Sequence, residues 1–143
     1  DTKALGLNSA QGLLLTEAFY WDRNDETRAW SKRFMEKFGK MPTSTQAGDY
    51  SSTMHYLKAV AAAGALDAQT VMAKMREMPI NDFFAHDGHI RVDGRMVHDM
   101  YVAEVKKPSE SKHPGDFYTL KATIPAAEAF RNPKDSGCSL VKG

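Results

Sequence analysis

Cysteine is nearly missing from this sequence, and Cys138 is the only one. A single thiol cannot close a disulfide within the chain, and no spacing suggests a zinc site or a redox pair. A lone cysteine reads as a small buried hydrophobe or an idle thiol. Any partner for it has to come from sequence outside this chain. Charge of one sign is equally scarce. The 19 basic and 18 acidic side chains nearly cancel to a net +1. That leaves no basic stripe, so no nucleic-acid partner is expected. No apolar run approaches the ~18 residues that cross a bilayer. The phosphate cradles GxGxxG and GKS/T are absent, as are the nucleophile elbow GxSxG and the zinc motif HExxH. There is no internal repeat and no low-complexity segment.

What is present is a globular composition, 42% hydrophobic and 26% charged, in 143 residues. That is enough for one ordinary domain. The chain starts at Asp1 rather than Met, without a charged-then-apolar leader. A fragment or processed product is therefore expected.

Gly12-Leu13-Leu14-Leu15-Thr16 is a short apolar run that suits a buried strand. It leads into Phe19-Tyr20-Trp21, and three aromatics in a row cannot all face one core. Asn24-Asp25-Glu26 predicts a helix start, with acids against the positive end of the dipole. Trp30, Phe34 and Phe38 then form one apolar stripe that Gly39 ends. The centre of the chain is the stretch from Asp49 to Gly64. It reads as a buried helix with a polar start at Asp49, Tyr50, Ser51 and Ser52 and an inner side of Met54, Leu57, Val60 and Ala61. Asp67 predicts the cap of a third helix, with Val71, Met75 and Met78 inside and Pro79 closing it. From Asp87 the pattern alternates. Asp93-Gly94 predicts a hairpin turn, and the run Val97 to Val105 predicts a strand internal to a larger sheet. Phe117 to Leu120 suits a short strand or flap, and Ala126 to Phe130 about one helical turn.

Catalytic readings are weak. Ser51 and His55 stand four apart on a helix, so they can touch, but hydroxyls near a helix start are far more often caps. His86, Asp87 and His89 lie around a glycine turn without the rigid support that a metal site needs. Neither a catalytic residue nor a metal or cofactor is expected. A polar, aromatic corner without catalytic machinery favours binding without reaction.

The order and spacing of these segments resemble the C-terminal part of the type I periplasmic solute-binding proteins, in the branched-chain amino-acid branch of the ATP-driven importers. The resemblance covers the run Gly12 to Asp22 and the helix ending Lys37-Phe38-Gly39-Lys40-Met41-Pro42. It continues through Ala47-Gly48-Asp49-Tyr50 with its Ala-rich helix, Arg91-Val92-Asp93-Gly94-Arg95, Tyr101 to Lys106, and the tail Glu128 to Val141. It implies a partial α/β fold from a protein of two doubly wound lobes joined by crossing strands. Residues 1–22 would be a strand and hinge crossing, 23–84 the helical part of the first lobe, and 85–143 the strands and tail of the second. Completion by another copy, through strand or segment exchange, is one way such a piece would cover its apolar strands.

The resemblance also implies a function. The chain would belong to a periplasmic, non-enzymatic subunit of an importer, made with a signal peptide in its precursor and working with membrane permease subunits. Its ligand would be a small amino acid, aromatic acid or amide, held between the lobes. Tyr20 and Trp21 would be hinge-side aromatics, and Gln46, Ala47, Asp49 and Tyr50 would line the wall. The alternative of another class is a ligand-sensing domain of a regulatory or signalling protein, which the module preceding Asp1 in the gene would reveal.

Overall fold

The computed structural model describes residues 2–135 and Gly137. Cys138 and most of the tail that carries part of the resemblance lie outside the described residues. In chain order the elements are α1 (Thr2–Leu5), α2 (Leu7–Ala10), β1 (Leu14–Glu17), α3 (Asp25–Phe38), α4 (Ser44–Ala63) and α5 (Ala68–Glu77). Then come β2 (His89–Ile90), β3 (Met96–Val97), β4 (Met100–Val105), β5 (Tyr118–Ile124) and α6 (Ala126–Ala129). The chain divides into two units, residues 1–44 with 100–124, and residues 45–99 with 125–143.

The first unit is built on an antiparallel sheet of order β1-β4-β5. β4 sits in the middle, as its apolar pattern predicts, with Ala103 and Val105 buried. β1 differs from expectation. Among the described residues it is an edge strand with a single neighbour, and Leu14 is 68% exposed rather than buried. The predicted strand from Val97 to Val105 also breaks at His98-Asp99, so that β3 pairs with β2 and β4 with β1 and β5. A bulge between Val102 and Ala103 shifts the β4–β5 register.

α3 starts on a reciprocal cap. Thr27 N–H donates to Asn24 Oδ1 at 2.9 Å, and Asn24 N–H donates to Thr27 Oγ1 at 3.0 Å. Asp25 and Glu26 fill its first turn, and Gly39 ends it at φ 69°, where a side chain would be strained. Trp30 is buried and meets Phe19 edge-on at 5.8 Å. At Ser44, the last residue of this unit and the first of α4, the hydroxyl donates to Glu17 Oε2 at 2.5 Å. A carboxylate thus stands at the positive end of a 20-residue helix.

The second unit is organised on α4. This helix begins at Ser44, five residues before the start expected from Asp49. Its buried stripe is Ala47, Ser51, His55 and Ala59. The larger apolar side chains expected there lie elsewhere, and Leu57 is 51% exposed. Small residues at i+4 spacing let a neighbouring backbone come close, which outweighs the greater apolar area of the other side. A helix apolar on more than one side suits the interior of a larger protein. α5 is capped by Asp67, whose Oδ1 accepts from Thr70 N–H at 2.9 Å, and buries Val71. β2 and β3 form the expected hairpin, held at its turn by the 2.8 Å Arg91–Asp93 ion pair.

Candidate functional site

In the second unit, the first turns of α4 meet a tight loop formed by residues 80–88. Ile80 and Gly88 close this loop by exchanging backbone hydrogen bonds of 2.7 and 3.0 Å. Inside it, Asp82 Oδ1 accepts from Phe84 N–H at 2.8 Å and from Ala85 N–H at 3.1 Å. That is the local turn an aspartate makes with the backbone just ahead of it. Asp82 Oδ2 accepts from the Ser51 hydroxyl at 2.6 Å, which fastens the loop to α4. Two aromatics are thereby pressed against the helix. Phe84 lies over Gly48, and the Phe83 ring stands 5.8 Å from the Tyr50 ring at 59°.

Gln46, Asp49 and Tyr50 stand i, i+3 and i+4 on α4, so they neighbour one another on one face. Gln46 is half-buried, while Asp49 and Tyr50 are exposed, Tyr50 at 41%. Ala47 turns the other way and is fully buried. The three outward side chains offer an amide, a carboxylate and a phenol, beside the edge of an aromatic pair. Such a face can hydrogen-bond a small polar molecule. Sequence reasoning passed over Asp82 and Phe83. The signal for them was Asn81-Asp82 followed by two aromatics, a turn-former that presents rings.

Ser51 and His55 do not form a catalytic pair. The Ser51 hydroxyl donates to Asp82, and His55 Nε2 hydrogen-bonds the Met75 carbonyl at 2.9 Å. Because α4 begins at Ser44, Ser51 lies in its interior and is not the cap expected of it. Among the described residues no group of three or more His, Cys, Asp or Glu is placed to hold a metal. No described helix is long and apolar enough to cross a membrane.

Tyr20 and Trp21 lie in the first unit, both buried. The Tyr20 hydroxyl accepts from Phe117 N–H and Tyr118 N–H, each at 3.2 Å, and approaches Asp116 Oδ1 at 3.4 Å. Burial pushes its pKa up to about 12 and the Asp116 charge adds to this, against the two amide donors. Trp21 Nε1–H donates to the Gly115 carbonyl at 2.9 Å, and its ring lies 5.3 Å from His113. Both aromatics therefore grip the connection between β4 and β5. Of the six residues expected at the site, three share one face of α4, Ala47 backs that face, and two serve this grip.

A family model described as a periplasmic binding protein matches residues 1–112. The chain belongs to that family. Its structure is similar to that of a periplasmic binding protein from Burkholderia mallei, at 52% identity and a TM-score of 0.94, covering 99% of this chain and 37% of that one. It is also similar to a branched chain amino acid ABC transporter periplasmic ligand-binding protein from Burkholderia xenovorans LB400. There the identity is 43% and the TM-score 0.93, covering 98% of this chain and 37% of that one. The amino acid ABC transporter substrate-binding protein from Pseudomonas fluorescens Pf-5, at 22% identity and a TM-score of 0.82, shares the fold. A search of the curated proteins finds no match. The chain spans 37% of the length of the two Burkholderia relatives. The architecture is thus α/β, a part of the type I periplasmic-binding-protein fold.

Proposed function

We propose that this periplasmic-binding-protein chain is part of an extracytoplasmic solute-binding subunit of an ABC importer, and that it holds its solute without altering it. The observation that carries the reading is family membership joined to two relatives above 40% identity, one of them named as a branched chain amino acid transporter's ligand-binding protein. The solute class is a small amino acid, aromatic acid or amide, and the partners are membrane permease subunits. Gln46, Asp49 and Tyr50 form the wall that meets the solute, with Ala47 as the small residue behind it. Tyr20 and Trp21 act as hinge-side aromatics that hold their own crossing in shape.

The chemistry of α4 supports this assignment. Asp49 and Tyr50 are exposed on a helix fastened from behind by the Ser51–Asp82 hydrogen bond, so the wall is rigid before a solute arrives. Exchange of segments between copies has no observation in its favour among the described residues, and the reading does not use it.

Replacement of the wall tests the proposal. Tyr50→Ala and Asp49→Asn in the full-length protein are expected to weaken binding of its solute roughly tenfold or more, about 1.4 kcal/mol. The melting temperature of the solute-free protein should hardly move, since both side chains are exposed. Unchanged affinity in both variants would remove this face from the site.

A further inference from the structure

We propose that Glu17 is a positioning residue for the solute wall, acting through Ser44 on the first turns of α4. The inference rests on the wall proposed above, and its test needs no solute.

The chain leaves the first unit after Ser44, returns to it at Met100 and leaves it again after Ile124. The second and third of these passages are bound to each other. Met100 and Ile124 are register partners at the ends of β4 and β5, and Asp99 Oδ1 accepts from Ala126 N–H at 2.9 Å. The first passage is tied by a side chain, since the Ser44 hydroxyl donates to Glu17 Oε2. Glu17 is itself held in place. It is the last residue of β1 and the register partner of Tyr101 in the central strand. Its carboxylate forms no ion pair among the described residues. Its charge serves the Ser44 hydroxyl and the positive end of α4, and a hydrogen bond to an ionised acceptor is the stronger kind.

Gln46, Asp49 and Tyr50 follow Ser44 within two helical turns. The wall therefore has two fasteners, Ser51–Asp82 behind it and Ser44–Glu17 at its start. Helix ends fray first, so the second fastener decides how firmly those turns are kept. Glu17 does not form part of the wall. It keeps Asp49 and Tyr50 in the geometry that a solute meets.

The test is amide hydrogen exchange, residue by residue, in the solute-free full-length protein. Glu17→Ala is expected to speed exchange at Gly48, Asp49 and Tyr50 about fivefold, the effect of losing one helix cap. Amides of α5 in the same unit should keep their rates. Ser44→Ala removes the same bond from the helix side and should match it, so the result does not depend on one variant folding. The double variant should be no faster than either single one, because the two residues act through one bond. Glu17→Gln keeps an acceptor oxygen and should restore most of the protection. Unchanged exchange at residues 48–50, additive effects in the double variant, or an equal rise throughout α5 would each overturn the proposal. Each of these outcomes is read without solute, so it is distinct from a failure of the wall to bind one.

Discussion

The Lys106 ammonium donates to the Asp116 carboxylate within the first unit, and the two side chains are 17% and 3% exposed. Asp116 also accepts from Lys112 N–H at 3.0 Å. Together these contacts pin the connection between β4 and β5. Burial alone would raise the Asp116 pKa. The Lys106 and Lys112 hydrogen bonds, with the charges of Lys106 and His113, outweigh it and hold the carboxyl below its ordinary value of 3.8. A carboxyl whose folded pKa is depressed stabilises the fold above its unfolded pKa, and that contribution is lost as pH falls through the folded value. Urea midpoints should therefore drop as pH falls below about 4. Lys106→Met leaves a buried carboxylate without its partner and should cost roughly 3 kcal/mol. A midpoint in Lys106→Met equal to that of the parent would show that the pair does not pin the connection.

Tyr20 predicts the opposite limb. Its folded pKa is raised from 10.0 to about 12. The unfolded chain ionises first, so the contribution is complete below pH 10 and is lost as pH rises toward about 12. Tyr20→Phe should flatten that alkaline decline. It should also cost about 1–3 kcal/mol near neutrality, because the Tyr118 amide loses the Tyr20 oxygen and Asp116 loses the phenol beside it, while Phe117 N–H keeps the Gly115 carbonyl at 3.1 Å. An alkaline decline as steep in Tyr20→Phe as in the parent would contradict the assignment.

The elements that depend on local chemistry were legible in the sequence. Asn24 capping α3, Gly39 ending it, Asp67 capping α5 and the Asp93-Gly94 turn all follow from side chains acting on nearby backbone. The inner face of α4 was not legible. Composition favours Met54 and Leu57, but the buried side is Ala47, Ser51, His55 and Ala59, where Asp82 of the following loop bonds Ser51 and the Met75 carbonyl of α5 bonds His55. That choice is tertiary, and no periodicity within α4 contains it. The exposed Leu13 and Leu14 misled for a related reason. An apolar run says that a strand is to be covered, without saying by what.

Gly48 offers a direct check of the α4 wall. A Cβ built there would lie 3.7 Å from Cε2 and Cζ of Phe84, an ordinary contact. Gly48→Ala should therefore stabilise the protein by up to about 1 kcal/mol through helix propensity. Gly48→Leu should destabilise it by displacing the Phe84 ring. A thermal melt in which the alanine variant is clearly the weaker protein would show that Phe84 does not leave this space.

Ser31 is fully buried, and its Oγ has no hydrogen-bond partner among the described residues. An unsatisfied buried hydroxyl costs about 1–3 kcal/mol, and alanine is also the better helix former. Ser31→Ala should raise the unfolding free energy by about 1 kcal/mol. A fall of similar size would reveal a partner for that hydroxyl.

Calorimetric titration of the full-length protein with amino acids, aromatic acids and amides tests the solute-binding account most directly. The account predicts that one class binds saturably, with a micromolar or tighter Kd, and is recovered chemically unchanged from the complex. Heat from no member of the set, or recovery of an altered product, would contradict it.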